Sequence, residues 1–225
     1  MPEKIKDKEM NDDEEQKKGL NTLKDNNNCD TRGRGEKSSP TQFIFSKRLM
    51  IFIDGENLFQ FSKRYNIKFD YNKLVNFLSK DYDLIRVYYY IGIPTKQVWD
   101  KTKENFEKFE NRLNKQLSFL DSLELKHNFE VIKKPLALSN EKIIQKGIDV
   151  KIASDIIWHG LSNNYDAFIL ISGDKDLMDC LIRMKDNGKQ VIVANFEGKI
   201  SRELKKIADK YINLSEYLEE IKLED

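Results

Sequence analysis

The chain has 225 residues, 34% of them charged and 39% hydrophobic, with a formal net charge of +1. That length suits one α/β domain with a substantial core plus a tail, and the near-neutral balance excludes a global field that would by itself mark nucleic acid as the partner, while leaving room for a local basic patch. Two cysteines in segments of opposite character, Cys29 polar and Cys180 apolar, exclude a disulfide framework or a cysteine metal site. The apolar runs are too short to span a bilayer and the opening Met-Pro-Glu-Lys-Ile-Lys lacks a signal peptide's apolar core, so a cytoplasmic protein with no membrane partner is expected.

Residues 1–42 are mostly Lys, Glu, Asp and Asn, with Arg32-Gly33-Arg34-Gly35 near the end. Such a segment cannot bury enough apolar surface to offset its ordering entropy and is expected to be a disordered charged tail. The expected domain covers residues 43–216, followed by an acidic tail over 217–225.

Within the domain, Leu49-Met50-Ile51-Phe52-Ile53 reads as a strand buried on both faces, ending at Asp54-Gly55-Glu56-Asn57. Leu58, Phe59 and Phe61 suggest a short helix, and Asp70 is the expected N-cap of a second that buries Leu74, Phe77 and Leu78. Residues 84–91, rich in β-branched and aromatic side chains, read as the second strand. Residues 96–125 carry Phe106, Phe109, Leu113, Leu117 and Leu120 at spacings of three and four, which predicts one long amphipathic helix. A third strand over 129–132 leads into a basic, irregular segment containing Lys133, Lys134, Lys142 and Lys146. A helix from Ile148 to Leu161 follows, then a fourth strand over 167–171, a helix ending at Asn187-Gly188, a fifth strand over 190–194, and a Ser201-capped helix. A last extended piece spans 211–214. Strands alternating with helices predict a three-layer αβα architecture around a mainly parallel sheet of five or six strands.

In such a sheet every strand points its carboxyl end to one rim. Asp54 and the pair Asp174 and Asp176 meet there if strands one and four are adjacent across a switch point. Asp149, at the start of its helix, is a fourth candidate and sits where a carboxylate suits the helix dipole. Acids this close raise one another's pKa unless a cation lies among them. Oxygen donors select Mg²⁺ or Mn²⁺, and such ions are the standard device for attack at phosphorus. Asp and Gly are also ordinary βα-loop residues, so any one of these turns alone would read as structural. His127, His159, Trp158, Tyr165 and Cys180 read as structural or packing groups, and Arg183 as an exposed helix cation.

Three stretches, Ile53-Asp54-Gly55-Glu56-Asn57, Lys146-Gly147-Ile148-Asp149-Val150 and Ser172-Gly173-Asp174-Lys175-Asp176-Leu177, occur in the order that resembles the NYN domains of the LabA-like (DUF88) group within the PIN-like nuclease superfamily. The resemblance runs from about Leu49 to Leu214 and implies a PIN-like, Rossmann-like sheet with central first and fourth strands, a divalent-metal site and endoribonuclease activity on RNA. It implies acidic positions at Asp54, Asp149, Asp174 and Asp176, polar neighbours at Asn57 and Ser172, and a substrate-facing cation at Lys146. Asp155 also falls at an acidic position of many members, but helical geometry turns it roughly 240° from Asp149, which ranks it below the others. Where members often have Phe and Pro after the last acidic pair, this chain has Leu177 and Asp179. The resulting expectation is a metal-dependent ribonuclease. The alternatives are a non-catalytic RNA- or protein-binding module on the same fold and a small-molecule phosphohydrolase, the latter ranked lower because no Gly-rich phosphate loop is present.

Overall fold

Five consecutive apolar residues with no polar interruption are stable as a strand only when both faces are covered, and β1 (Arg48–Asp54) is covered on both: Leu49 through Ile53 are at most 4% exposed. The computed structural model describes residues 46–224 apart from 103, 140, 141, 145, 146 and 199. The expected N-terminal tail, Cys29 and Lys146 therefore lie outside the described residues.

Six parallel strands form one sheet in the order β3 (Phe129–Pro135), β2 (Asp83–Ile93), β1, β6 (Ala167–Ile171), β7 (Gln190–Asn195), β8 (Lys210–Asn213). The expected fourth strand is β6, and it lies directly against β1 with Ile53 opposite Ile171. The chain adds β2 and β3 on one side of β1 and β6 to β8 on the other, so the switch point falls between β1 and β6, the place where open α/β sheets bind ligands.

Strand alternation sends Leu49, Ile51, Ile53, Ile169 and Ile171 to one face, where they pack with Leu58 of α1 (Gly55–Tyr65), Leu74 of α2 (Tyr71–Ser79) and Leu120 of α4 (Phe106–Glu124). Met50, Phe52, Phe168 and Leu170 face the opposite way, onto Ile152 and Ile156 of α5 (Ile148–Leu161), Leu181 of α6 (Met178–Asp186) and Leu204 of α7 (Arg202–Ile207). Each fully buried aliphatic or aromatic side chain contributes about 1.5–3 kcal/mol. The three-layer αβα architecture follows.

Two segments differ from the sequence expectation. The long helix over 96–125 is divided into α3 (Lys96–Thr102) and α4. Asn105 restarts the helix: its side chain accepts from the N–H groups of Glu107 and Lys108, satisfying two orphan donors that a continuous helix would have paired internally. The segment after the third strand is not irregular either. β3 runs on through Lys133, Lys134 and Pro135, and the antiparallel pair β4 (Ala137–Ser139) and β5 (Lys142–Ile144) follows. Pro135 is tolerated because β3 is an edge strand with no neighbour needing its missing N–H.

Beyond β8, α8 (Leu218–Ile221) is tied to the domain. Ile221 is fully buried, its carbonyl accepts from Asp70 N–H at 3.0 Å, and Leu223 N–H reaches the carbonyl of Lys68 at 2.8 Å. Among the described residues no helix is long and apolar enough to cross a membrane.

Candidate functional site

Asp54 ends β1 and caps α1. Its extended backbone (φ −74°, ψ 100°) turns the side chain back so that Oδ1 accepts from Asn57 N–H at 3.2 Å. The turn depends on Gly55. A Cβ there would lie 2.7 Å from Cζ of the Tyr89 ring and 2.7 Å from the Tyr90 carbonyl oxygen, so only glycine lets α1 leave the sheet this steeply. The other carboxylate oxygen, Oδ2, accepts from the Ser172 hydroxyl at 3.1 Å across the switch point.

Ser172, fully buried, continues β6 on the same face as Asp54. Its Oγ also accepts from Asp174 N–H at 3.2 Å, and Asp174 Oδ1 in turn accepts from Asp176 N–H at 2.9 Å, capping the 3₁₀ turn Lys175–Leu177 that leads into α6. The hydrogen bonds therefore run in one direction, from the Asp176 amide to Asp174 and from the Asp174 amide through Ser172 to Asp54. A cluster built this way is set by two strand ends and two cap turns, with little freedom left to Asp54.

Asp149 joins from the first turn of α5, whose entry is made by Gly147 in the left-handed region (φ 79°). Burial pushes the Asp149 carboxyl up, and the neighbouring charges of Asp174 and Asp176 push it further. Burial likewise raises Asp54 from the ordinary 3.8 to about 6, against the lowering effect of the Asn57 and Ser172 hydrogen bonds and with the charges of Asp149 and Glu56 adding to the rise. The four sequence-predicted acids Asp54, Asp149, Asp174 and Asp176 are thus within electrostatic reach of one another, as shared perturbations of two of them. Among the described residues no three acidic, histidine or cysteine side chains already converge as a coordination cage. The donor set nonetheless fits a hard divalent cation: it is all carboxylate oxygen, and the rise at Asp54 and Asp149 is the cost a cation would relieve.

Asp155 is held apart from this cluster. Seven residues on from Ile148, it lies on the sheet-facing side of α5, 8% exposed, where the Tyr90 hydroxyl donates to Oδ2 at 2.9 Å and the Lys151 ammonium meets Oδ1 at 2.5 Å. Asn57 is half-buried in the first turn of α1 and binds Asp54 through its backbone. Among the flanking cations, Lys133 is committed to Asp121 at 3.2 Å and Glu124 at 3.0 Å, and Arg183 is exposed on α6. Trp158 departs from its reading as a packing group: it is 66% exposed on α5, because position 158 falls on the helix face opposite Ile152 and Ile156. Tyr165 is fully buried and its hydroxyl donates to the Ile156 carbonyl at 2.7 Å.

Sequence reasoning missed the other side of the rim. A groove of about 790 Å³ opens beside Glu56, in the first turn of α1, and is lined by Phe59, Tyr71, Tyr89 and Phe119. Its rings come from α1, α2, β2 and α4, so only their meeting in space reveals it.

With this geometry in hand, comparison with known proteins decides the family: the NYN domain profile matches residues 48–216. The chain belongs to the NYN domain family. This NYN domain is 25% identical over 177 residues to the low amplitude and bright protein LabA of Synechococcus elongatus, covering 75% of this chain and 84% of LabA. Its fold resembles the crystal structure of a Vibrio parahaemolyticus protein of unknown function, at a TM-score of 0.58 and 20% identity, covering 81% of this chain and 99% of that one. The NYN domain thus has a PIN-like, nuclease-like fold, with the acidic rim at its switch point.

Proposed function

We propose that this NYN domain is a divalent-metal-dependent ribonuclease that hydrolyses RNA phosphodiesters at the acidic rim. The observation that carries the reading is the Ser172 to Asp54 hydrogen bond of 3.1 Å, which ties the ends of the two central strands together with Asp149, Asp174 and Asp176 around them. Asp54, Asp174 and Asp176 would hold Mg²⁺ or Mn²⁺, and Asp149 would complete the site or orient water. When bound, such an ion supplies charge stabilisation at phosphorus and a more acidic water. The protein's own part is positional. Ser172 and the Asn57 amide fix both oxygens of Asp54, so its carboxylate is presented without rotamer search, and the caps of α1 by Asp54 and of the Lys175–Leu177 turn by Asp174 hold the acids at fixed spacing. Asn57 and Lys146 are assigned to the scissile phosphate, the lysine through its position two residues before Ile148. A cytoplasmic location fits an RNA substrate and the buried free thiol of Cys180.

The test is cleavage of end-labelled single-stranded RNA by the purified protein with Mn²⁺. Asp174→Asn is expected to lower the rate by about 100-fold or more. Its fold should persist, because Asn is as good an N-cap as Asp. Cleavage by that variant at the unaltered rate would overturn the assignment. RNA binding without cleavage in any divalent metal would favour the non-catalytic module instead.

A further inference from the structure

The groove beside Glu56 is unlike the rest of the surface. Its walls are ring faces and edges: Tyr71 and Phe119 pack at 5.4 Å between centroids, Tyr89 meets both, and Phe59, 54% exposed, lines it as well. Its volume of about 790 Å³ falls in the range of small-ligand pockets. Two exposed ammonium groups, Lys68 and Lys115, stand in its lining, and neither has an ion-pair partner among the described residues. Arg112 also lines it and is held by Glu104 at 2.9 Å. Gly92, near the carboxyl end of β2, and Pro94, just beyond it, also line the groove.

The groove and the acidic rim share one edge. Glu56 lines the groove and is close enough to Asp54 to raise its pKa, and the Tyr89 ring lies directly beneath Gly55. A polymer whose phosphodiester lies at Asp54 therefore has, on the α1 side, a place for an adjoining flat group and cations for an adjoining phosphate. We infer that the groove bounded by Phe59, Tyr71, Tyr89 and Phe119 binds a nucleobase of single-stranded RNA next to the scissile phosphate, with Lys68 and Lys115 holding the flanking backbone. Ring faces stack on any base, so the site selects unpaired RNA over duplex without reading sequence. A purely hydrocarbon ligand would leave the two ammonium groups without a counterpart. The inference takes its polymer from the ribonuclease reading, and the experiment separates the two.

The experiment uses the full chain carrying Asp174→Asn, so that RNA stays intact, and a fluorescein-labelled single-stranded RNA of about 12 nucleotides read by anisotropy. Adding Phe119→Ala or Phe119→Leu is expected to weaken binding about 10-fold, the leucine variant keeping the apolar packing while removing the ring face. Lys115→Ala should weaken binding and lower the salt slope by about one. A 5-iodouridine RNA should cross-link to Tyr71 or Phe119. Circular dichroism and the thermal midpoint report folding of each variant. Binding unchanged in Phe119→Leu and Lys115→Ala, while the unaltered protein cleaves RNA, overturns the groove and leaves the ribonuclease reading standing. Loss of binding in both variants, with no cleavage by the unaltered protein, supports the groove and removes the ribonuclease reading. Anilinonaphthalene sulfonate fluorescence that requires Phe119 and is not displaced by RNA would assign the groove to an apolar ligand and overturn the inference.

Discussion

Asp54 shows how a carboxylate can be costly and retained. Its two oxygens are satisfied by Asn57 N–H and Ser172 Oγ, yet burial still holds its pKa near 6 against an ordinary 3.8. A folded-state value above the unfolded one means that ionised Asp54 penalises the fold. Below about pH 4 both states are protonated and the penalty is absent; it grows as pH rises through 6 and is complete above that. Two pKa units correspond to about 3 kcal/mol. Asp54→Asn keeps an acceptor for Asn57 N–H and reverses the Ser172 contact, its amide donating to Ser172 Oγ where the carboxylate accepted, so the metal-free variant should unfold at higher urea than the unaltered protein at pH 8, by up to about 3 kcal/mol, with the gap closing by pH 4. A gap that does not change with pH would show that Asp54 is not ionising in that environment. One position on, Gly55→Ala drives a methyl into the Tyr89 ring and the Tyr90 carbonyl, and overpacking of this kind costs about 1–3 kcal/mol. Chemical denaturation checks that value, and cleavage should fall with it because the cap of Asp54 moves.

At the scale of elements, α5 carries two acids with different work. Asp149 in its first turn faces the rim, while Asp155 faces the sheet and is held by Tyr90 and Lys151. The helical period alone separates them, and the separation makes a prediction. Tyr90→Phe removes the hydroxyl donor to Asp155 and leaves a buried carboxylate oxygen short of a partner, which should lower stability by about 1–3 kcal/mol in denaturant titration. Mn²⁺-dependent cleavage, measured below the new unfolding midpoint, should stay within about twofold; a collapse of activity would move Asp155 into the metal site. The caps of α2 at Asp70 and α7 at Ser201 were legible because a side-chain oxygen before an apolar run satisfies local donors, and both form as read. The restart at Asn105 was not legible, since the apolar spacing runs through it without a break and only the cap hydrogen bonds distinguish two helices from one.

For the whole molecule, the switch point places four acids from three βα units at one end of a six-stranded sheet. Assembling them is electrostatically unfavourable without a cation, so binding of a divalent ion to the native state alone should raise the thermal midpoint. Mn²⁺ at saturating concentration is expected to stabilise the unaltered protein by about 2 kcal/mol or more and Asp174→Asn far less; equal shifts would place the ion elsewhere. At the opposite end of the sheet the charges are matched. The Arg48 guanidinium holds Asp166 down to about 2 through hydrogen bonds at 2.7 and 3.1 Å. A lowered folded-state value stabilises the protein above the unfolded pKa and loses that contribution as pH falls through 2, so Asp166→Asn should be less stable at pH 7 and approach the unaltered protein below pH 4 in thermal melts. The two ends of one sheet thus respond to pH in opposite senses.

Strand identity, helix caps and the acids themselves were determined by the sequence, because each rests on short-range physics: apolar runs that need two covered faces, side-chain oxygens beside orphan amides, and carboxylates at strand ends. Even the order of the three acidic stretches was enough to place the chain among NYN domains. The adjacency of β1 and β6 was already implied by the family resemblance and is realised in the sheet, whereas the Ser172 bridge to Asp54, the Tyr90 hydroxyl on Asp155 and the ring-walled groove were decided only by the tertiary structure. Each of these brings together residues far apart in the chain, and no local period or cap records which strand will lie beside which.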